Sequence, residues 1–228
     1  MSIIAIITAR GGSKRIPKKN IKDFCGKPII AYSIEAALKS ELFDEVMVST
    51  DDLEIAEVAK KYGANVPFMR SEKTSDDYAT TADVLKEVLE EYSKREKKFE
   101  WMCCIYPTAP FITAKKLKES FEYLQKYNAD ALTPVVKFSY PPQRCFIINN
   151  GFLQYKWSEN INKRSQDLEP LYHDAGQYYF WKVDKFFSGT IEKIIPYILD
   201  ELQVQDIDNL EDWKLAEIKY KLFMDVNL

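Results

Sequence analysis

Short apolar runs alternate with amphipathic helical segments along most of the chain, and this alternation constrains the fold more than any other feature. Residues 3–8, 45–49 and 101–106 are apolar runs of strand length, and a loop and a helix-length segment follow each of them. Strands of a parallel sheet are buried on both faces, and the helices that connect them cover the sheet. The pattern therefore predicts an α/β fold with a mainly parallel sheet flanked by helices.

The other elements follow from periodicity and turn residues. Helices are predicted over 29–39, 53–62, 81–95, 114–126 and 209–223, and further strands over 65–68, 131–136 and 178–181. Gly63 stands where a left-handed residue commonly ends a helix. Apolar residues 145–148 and 152–155 flank Asn149-Asn150-Gly151, a pattern typical of a β-hairpin. We expect a single domain, 1–228, with a hairpin extension over 137–172 that arches over the site or contacts a second copy of the chain.

Composition excludes two classes of partner. With 228 residues, of which 46% are hydrophobic and 29% charged, the chain has the composition of a soluble globular domain. The formal charge of -3, without a basic stripe, predicts no nucleic-acid partner. No apolar run approaches the roughly 20 residues that a membrane helix needs, so we expect no membrane partner. The first residues lack the positive region of a secretory signal and are interpreted as the first strand.

The four cysteines predict a reducing compartment. None of Cys25, Cys103, Cys104 and Cys145 forms a C-x-x-C pair. Cys103 and Cys104 are adjacent in an apolar run, so they are expected on opposite faces of a strand as small buried hydrophobes. We therefore expect a cytoplasmic protein.

A loop rich in glycine and positive charge follows the first strand. Gly11 and Gly12 allow backbone N–H groups to approach an anion closely. The cations of this loop are Arg10, Lys14, Arg15, Lys18 and Lys19. The loop lacks the G-K-[ST] of a Walker motif and the G-x-G-x-x-G of a dinucleotide site. Because ligands of α/β sheets bind beyond the carboxyl ends of the strands, we predict a triphosphate here and keep a solvated basic loop as the alternative.

The segment from Ala9 to Asn20 resembles the A-R-x-x-S-K-x-x-x-x-K-N motif of the CMP-sialic acid synthetase family, and the resemblance spans almost the whole chain. It implies a Rossmann-like fold of the nucleotide-diphospho-sugar transferase type, a homodimer, and transfer of CMP from CTP to a nine-carbon α-keto acid sugar. It also implies catalytic roles for Arg10 and Lys19. The nucleotide-binding residues that it implies in this loop are Arg10, Gly11, Gly12, Ser13, Lys14 and Asn20.

Two further segments support the nucleotide site. Val48-Ser49-Thr50-Asp51 matches a family motif, although its main role is expected to be capping the next helix. Residues 70–81 resemble the segment that surrounds the cytosine and ribose, which implies nucleotide contacts for Arg70, Asp77, Ala79 and Thr80. An aspartate or threonine here could instead cap the helix that begins near Thr81.

Residues 106 and 164–179 bear on the acceptor. Tyr106 replaces a glutamine that contacts the sugar in the family, which argues against N-acetylneuraminate itself. The R-x-Q-D-L…Y-H-D-A-G-Q segment resembles the pseudaminic acid branch of the family. The resemblance implies a sugar site formed by Tyr106, His173, Asp174 and Gln177, and a structural role stays open for the lone histidine.

Asp206 and Asp208 resemble the D-I-D metal motif of the family. Carboxylates two residues apart on an extended segment face the same side and suit Mg²⁺, whose other ligands are waters and phosphates. Capping of the last helix is the alternative, but it explains Asp208 or Asn209 and not both aspartates.

The implied reaction is attack of the sugar's anomeric hydroxyl on the α-phosphorus of CTP, with charge neutralised by Arg10 and Lys19. No general base is evident. Legionaminate, N-acylneuraminate and 3-deoxy-manno-octulosonate remain alternative acceptors. A sugar-1-phosphate nucleotidylyltransferase and a non-catalytic nucleotide-binding homologue are the more distant alternatives.

Overall fold

The structure is a computed structural model and describes residues 1–226. Its strands are β1 (Ile3–Thr8), β2 (Asp23–Phe24), β3 (Lys27–Pro28), β4 (Glu45–Ser49), β5 (Trp101–Ile105), β6 (Ala131–Lys137), β7 (Phe146–Asn149), β8 (Phe152–Tyr155), β9 (Tyr172–Asp174), β10 (Tyr178–Lys182) and β11 (Ile194–Leu199). Its helices are α1 (Ile29–Lys39), α2 (Leu53–Lys61), α3 (Glu72–Ser75), α4 (Thr81–Lys94), α5 (Ala114–Lys126), α6 (Val183–Ser188) and α7 (Leu210–Val226). Within this range no helix is long and apolar enough to cross a membrane.

Seven of the strands form one mixed sheet. Its order is β11-β6-β10-β5-β1-β4, and β9 pairs with the outer part of β6. β1 runs parallel to β4 and β5, and β11 runs parallel to β6. β10 is antiparallel to both of its neighbours. The prediction of a mainly parallel sheet flanked by helices is confirmed, with β9 and β10 as the reversed strands.

The two faces of the sheet carry separate apolar clusters. Ala5 and Cys103 lie in the cluster under α1, α2 and α5, whereas Ile6 and Cys104 lie in the cluster under α4. The predicted opposite placement of the two cysteines is confirmed. Complete burial of one isoleucine or leucine stabilises a fold by roughly 1.5–3 kcal/mol, so strands apolar on both faces hold the sheet rigidly between its helices.

The carboxyl ends of β1, β4 and β5 meet at one edge of the sheet, because these three neighbouring strands are parallel. The loop after β1 begins at this edge, and its first residue donates from Ala9 N to the Ser49 carbonyl at the end of β4, at 2.9 Å. Ligands of α/β sheets bind at such an edge.

The C-terminal helix α7 closes this edge through an aromatic cluster. Trp213 and Tyr220 lie edge-on to Phe24, with ring centroids 5.5 and 5.6 Å apart. Ile207, just before the helix, is buried in the same cluster. The segment that carries Asp206 and Asp208 is therefore fixed beside the loop after β1.

Two predictions about local structure have different outcomes. Gly63 follows α2 with a φ of 95°, as expected. The predicted strand at 65–68 is wrong, because only Asn65 pairs with a strand, in an isolated bridge to Met47. Pro67 has no N–H to donate, so the pairing cannot continue along the segment.

The predicted hairpin is confirmed, and it forms a two-stranded sheet of its own from β7 and β8. Asn150 and Gly151 turn the chain with φ values of 48° and 81°, the positive pair that a tight hairpin turn requires.

Candidate active site

A cavity of about 510 Å³ opens at the carboxyl ends of β1, β4 and β5. The structure brings most of the predicted nucleotide-site and catalytic residues to its wall, together with one predicted sugar contact, Tyr106, and one predicted metal ligand, Asp208. The predicted nucleotide-site and catalytic residues that line it are Arg10, Ser13, Lys14, Lys19, Asn20, Arg70, Asp77 and Ala79. Gly11, Gly12 and Thr80 lie beside the cavity and are not part of this lining among the described residues.

The loop after β1 is held by two contacts at its base. Gly11 N donates to Asp51 Oδ1 at 2.9 Å, and Asn20 Nδ2 donates to the Arg10 carbonyl at 2.9 Å. A side chain at Gly11 would place its Cβ 2.8 Å from an oxygen of Asp52, so the close approach requires glycine. Asp52 accepts from the first N–H groups of α2, so the expectation that Asp51 caps this helix is wrong.

Lys19 joins the loop after β1 to the segment before α7. Its Nζ donates to the Ile207 carbonyl at 2.7 Å. Burial lowers the pKa of Lys19, and the nearby carboxylates of Asp208 and Asp206 act in the opposite direction. The lysine that the family motif singles out therefore lies between the phosphate loop and both aspartates.

Carboxylates of the protein form ion pairs with Arg10, Lys14 and Arg15 of the loop after β1. Asp77 accepts from Arg10 at 2.9 Å and from Lys14 at 2.5 Å, and Asp208 accepts from Arg15 at 2.7 Å. The hydrogen bond from Lys14 is the main cause that lowers the pKa of Asp77, with a further contribution from Arg10. Asp77 therefore does not cap α4, and its carboxylate instead contacts two cations of the loop after β1.

Two of the predicted nucleotide contacts, Arg70 and Thr80, are held by the end of a strand and the start of a helix. Arg70 donates through Nε to Ser49 Oγ at 3.1 Å and through a terminal nitrogen to the Ser49 carbonyl at 2.6 Å. Burial lowers the pKa of this guanidinium. Thr80 forms a capping box with Asp83 at the start of α4, which gives Thr80 the capping role that the sequence left open.

A second cavity, of about 500 Å³, adjoins the first, and Tyr106 forms part of both walls. Burial raises the pKa of the Tyr106 hydroxyl. Its ring lies edge-on to Tyr179 with centroids 5.6 Å apart, and its carbonyl accepts from Ser33 Oγ at 2.8 Å. Tyr106 is thus held in place from two sides at the boundary between the cavities.

Asp174 and His173 line this second cavity. Both oxygens of Asp174 accept from the Tyr179 hydroxyl, at 2.8 and 2.9 Å, and one accepts from Gly176 N at 2.7 Å. His173 Nδ1 lies 2.9 Å from the Asp174 carbonyl, and its ring contacts Phe138. These two predicted sugar-site residues are side by side on β9.

Gln177 departs from its predicted place. Its side chain is buried and is not among the described residues that line either cavity. Nε2 donates to the Gln203 carbonyl at 2.5 Å, and the Gln177 carbonyl accepts from Tyr106 N at 2.8 Å. In the structure Gln177 supports Tyr106 and the 201–203 segment, and its contact with the sugar stays a prediction.

Asp206 and Asp208 border different cavities. Asp208 lines the first and Asp206 the second. The N-cap of α7 is formed by Asn209, which accepts from Glu211 N and Asp212 N at 2.8 and 3.0 Å, so neither aspartate is needed as the cap. Within residues 1–226 no three His, Cys, Asp or Glu side chains form a metal cluster. A cation between the aspartates would take its remaining ligands from water and substrate.

The sequence analysis assigns no site role to several residues of the second cavity, among them Tyr179, Glu201 and Lys219. Tyr179 and Glu201 line it, and so does Lys219 of α7. Lys219 lies outside the described family motifs and ten residues into a helix, so only the tertiary structure brings it to the site.

Comparison with known proteins identifies the family. The sequence profile of the family described as Cytidylyltransferase matches residues 4–208, which is most of the chain. The chain belongs to the cytidylyltransferase family.

Relatives of this cytidylyltransferase include enzymes for several keto sugars. A pseudaminic acid cytidylyltransferase of Campylobacter jejuni is 43% identical over 97% of both chains. A CMP-N,N'-diacetyllegionaminic acid synthase of Legionella pneumophila is 32% identical over 95% of both chains. The solved structure of a CMP:2-keto-3-deoxy-manno-octonic acid synthetase complexed with CTP covers 99% of this chain and 100% of its own, with a TM-score of 0.70 and 18% identity. That last likeness shows the shared fold.

Proposed function

We propose that this cytidylyltransferase transfers CMP from CTP to pseudaminic acid, a nine-carbon α-keto acid sugar, and releases pyrophosphate. The observation that carries the proposal is the pair of adjoining cavities that share Tyr106. The first is lined by cations suited to a triphosphate, and the second by polar groups suited to a sugar. The extent of identity with the Campylobacter jejuni enzyme favours pseudaminate over other keto acids.

The residues divide the work of the reaction by position. Arg70, which is held at the end of β4, contacts the nucleoside of CTP. When CTP binds, Arg10 and Lys14 release Asp77 and bind phosphate oxygens instead. The anomeric oxygen of the sugar attacks the α-phosphorus, and the bond to the β-phosphate oxygen breaks. Lys19 and Arg10 neutralise the charge that grows on the phosphates in the transition state. Tyr106 positions the acceptor at the boundary of the cavities.

Asp206 and Asp208 are proposed to hold Mg²⁺. Both carboxylates are close enough to affect the pKa of Lys19, and both are hard oxygen ligands of the kind that Mg²⁺ prefers. A bound magnesium ion would neutralise phosphate charge and favour departure of pyrophosphate. Rates measured against Mg²⁺ concentration test the assignment: an Asp206→Ala/Asp208→Ala enzyme with full turnover and an unchanged Mg²⁺ requirement would refute it.

The reaction is tested by pyrophosphate release from Mg-CTP with four acceptors: pseudaminate, legionaminate, N-acetylneuraminate and 3-deoxy-manno-octulosonate. We expect the highest kcat/KM with pseudaminate. Preference for another acid would keep the transferase reaction and overturn the proposed acceptor. A chain that binds CTP but releases no pyrophosphate with any acid would be the non-catalytic homologue.

The hairpin of β7 and β8 is proposed as the contact between two copies of the chain. Phe146 faces Tyr155 and Ile148 faces Leu153 across the strands, so one face of the hairpin is apolar throughout. Ile148 and Leu153 are 77% and 63% exposed. An isolated two-stranded hairpin is marginally stable in water, so a second copy that covers this face would stabilise it. Three further points stay predictions: a single domain, the role of 137–172 as its dimerisation extension, and a cytoplasmic location.

A further inference from the structure

The carboxylates that line the second cavity oppose binding of an acidic sugar. Asp174 and Glu201 bring two carboxylates to its wall, besides Asp206, whose charge the proposed Mg²⁺ would offset. The hydrogen-bond donors of Asp174 and Glu201 are neutral, since Tyr179 donates to the first and Ser139 Oγ donates to the second at 2.6 Å. An α-keto acid carries a carboxylate of its own, and like charges brought together in a partly closed site repel. A cationic side chain in the cavity would therefore favour binding of this acceptor.

Lys219 is the only lysine or arginine among the residues described in this lining. Its Nζ donates to the Val204 carbonyl at 2.9 Å and to the Glu201 carbonyl at 3.3 Å. Both acceptors are neutral, so neither offsets the ammonium charge. An ammonium group has three N–H donors, and these two bonds leave one for a ligand.

The two carbonyl contacts also fix where that charge stands. They hold the flexible lysine side chain against the 201–204 segment, in the wall that Asp206 and residues of β9 also line. Holding the side chain before the ligand arrives reduces the conformational entropy lost on binding. Lys219 is thus a pre-positioned cation and not a freely moving surface lysine.

We propose that Lys219 binds the carboxylate of the acceptor keto acid and so selects sugars that carry an acid group. The inference rests on the proposed function and adds a residue that recognises the acceptor. A purely structural role, in which Lys219 only ties α7 to the 201–204 segment, makes a different prediction, because it is indifferent to the charge of the acceptor.

The test compares kcat/KM for two acceptors: the keto acid that the enzyme uses best, and the same sugar with its carboxylate converted to a carboxamide. For the wild type we expect a strong preference for the acid. For Lys219→Met we expect that preference to fall by about 10- to 100-fold, the range for a lost charged hydrogen bond. The KM for CTP should stay unchanged. Lys219→Arg should keep most of the preference, and Lys214→Met, at an exposed position of the same helix, should keep all of it.

The outcomes separate this proposal from the proposed function. If Lys219→Met lowers kcat/KM by the same factor with the acid and with the carboxamide, the preference is unchanged. Lys219 would then be a structural support, and the carboxylate role would be overturned. A less stable variant does not obscure the result, because both acceptors are measured on the same folded fraction. A wild type that turns over no keto acid would overturn the proposed function and the role of Lys219 together.

Discussion

Lys19 connects the loop after β1 to the segment before α7, and its contacts lead to the first prediction. Lys19→Ala removes the charge that is proposed to lie beside the α- and β-phosphates, and it removes the bond to the Ile207 carbonyl. We expect kcat to fall by about 10²- to 10³-fold, the effect of losing a preorganised group that stabilises transition-state charge. Pyrophosphate release gives the rate, and urea unfolding checks the fold.

Lys22→Ala is the matched control, because Lys22 is exposed and is close in sequence to Lys19. It should keep wild-type turnover. If Lys19→Ala were as active as this control, Lys19 would have no role in the chemistry.

Tyr179 gives a second residue-scale prediction. Tyr179→Phe keeps the ring contacts with Tyr106 and Trp181 but removes the hydroxyl that donates to Asp174. The acceptor KM should rise by about 10-fold or more, the cost of one hydrogen bond to a charged group, and the KM for CTP should stay constant. Tyr178→Phe is the control, since the Tyr178 hydroxyl contacts Ser120 on the other face of the sheet. Equal acceptor KM values in the two variants would contradict the prediction.

The sequence predicts the nucleotide half of the site better than the acceptor half. The loop after β1 is one continuous segment, so its motif predicts where Arg10, Lys19 and Asn20 lie together. The second cavity is assembled from β5, β9, β10 and α7, whose residues are far apart in sequence. Tyr179 stands in an aromatic run that suits a core as well as a pocket wall, and Lys219 has no local signal, so their positions emerge only from the tertiary structure.

At the scale of elements, the hairpin of β7 and β8 carries the prediction about assembly. Ile148→Glu/Leu153→Glu places two carboxylates opposite each other on the apolar face. If this face joins two copies, burial of these unpaired charges is unfavourable and the dimer should dissociate. Light scattering after size exclusion measures the mass. Leu53→Glu, at a 73% exposed leucine of α2, should leave the mass unchanged. A wild type that is already monomeric would contradict the proposal.

Elements with strong local periodicity are predicted almost to the residue, and edge elements are not. The sequence analysis does not predict β11, whose run contains Pro196, and a proline within a strand is tolerated at the edge of a sheet. β11 does lie at the edge, next to β6. The three residues of β9 owe their extended conformation to pairing with β6, which no local pattern indicates.

At the scale of the whole molecule, one buried lysine should shape the dependence of stability on pH. Lys116 is a buried residue of α5 that donates to the Phe111 carbonyl at 2.9 Å, and burial lowers its pKa to about 8. Between this value and the 10.5 of the unfolded chain, the unfolded state holds the proton that the folded state has released. The contribution of Lys116 to the free energy of unfolding therefore rises with pH in this window.

The prediction is a difference between two proteins. Relative to Lys116→Met, the wild type should gain roughly 2 kcal/mol in the free energy of unfolding between pH 7 and about pH 9.5. Urea unfolding at both pH values measures it. Lys115→Met, at an exposed position of the same helix, should track the wild type at both pH values. Parallel curves for wild type and Lys116→Met would contradict the lowered pKa.

The pairing of Asp77 with Arg10 and Lys14 has a consequence for the catalytic cycle. The incoming nucleotide meets two cations that already share one carboxylate, so its binding includes an exchange of one anion for another. CTP affinity should therefore depend less steeply on salt than the number of loop cations implies. After transfer the same carboxylate is again within reach of the two cations. We infer that Asp77, held close to both cations, would compete with pyrophosphate for them and favour release of the product.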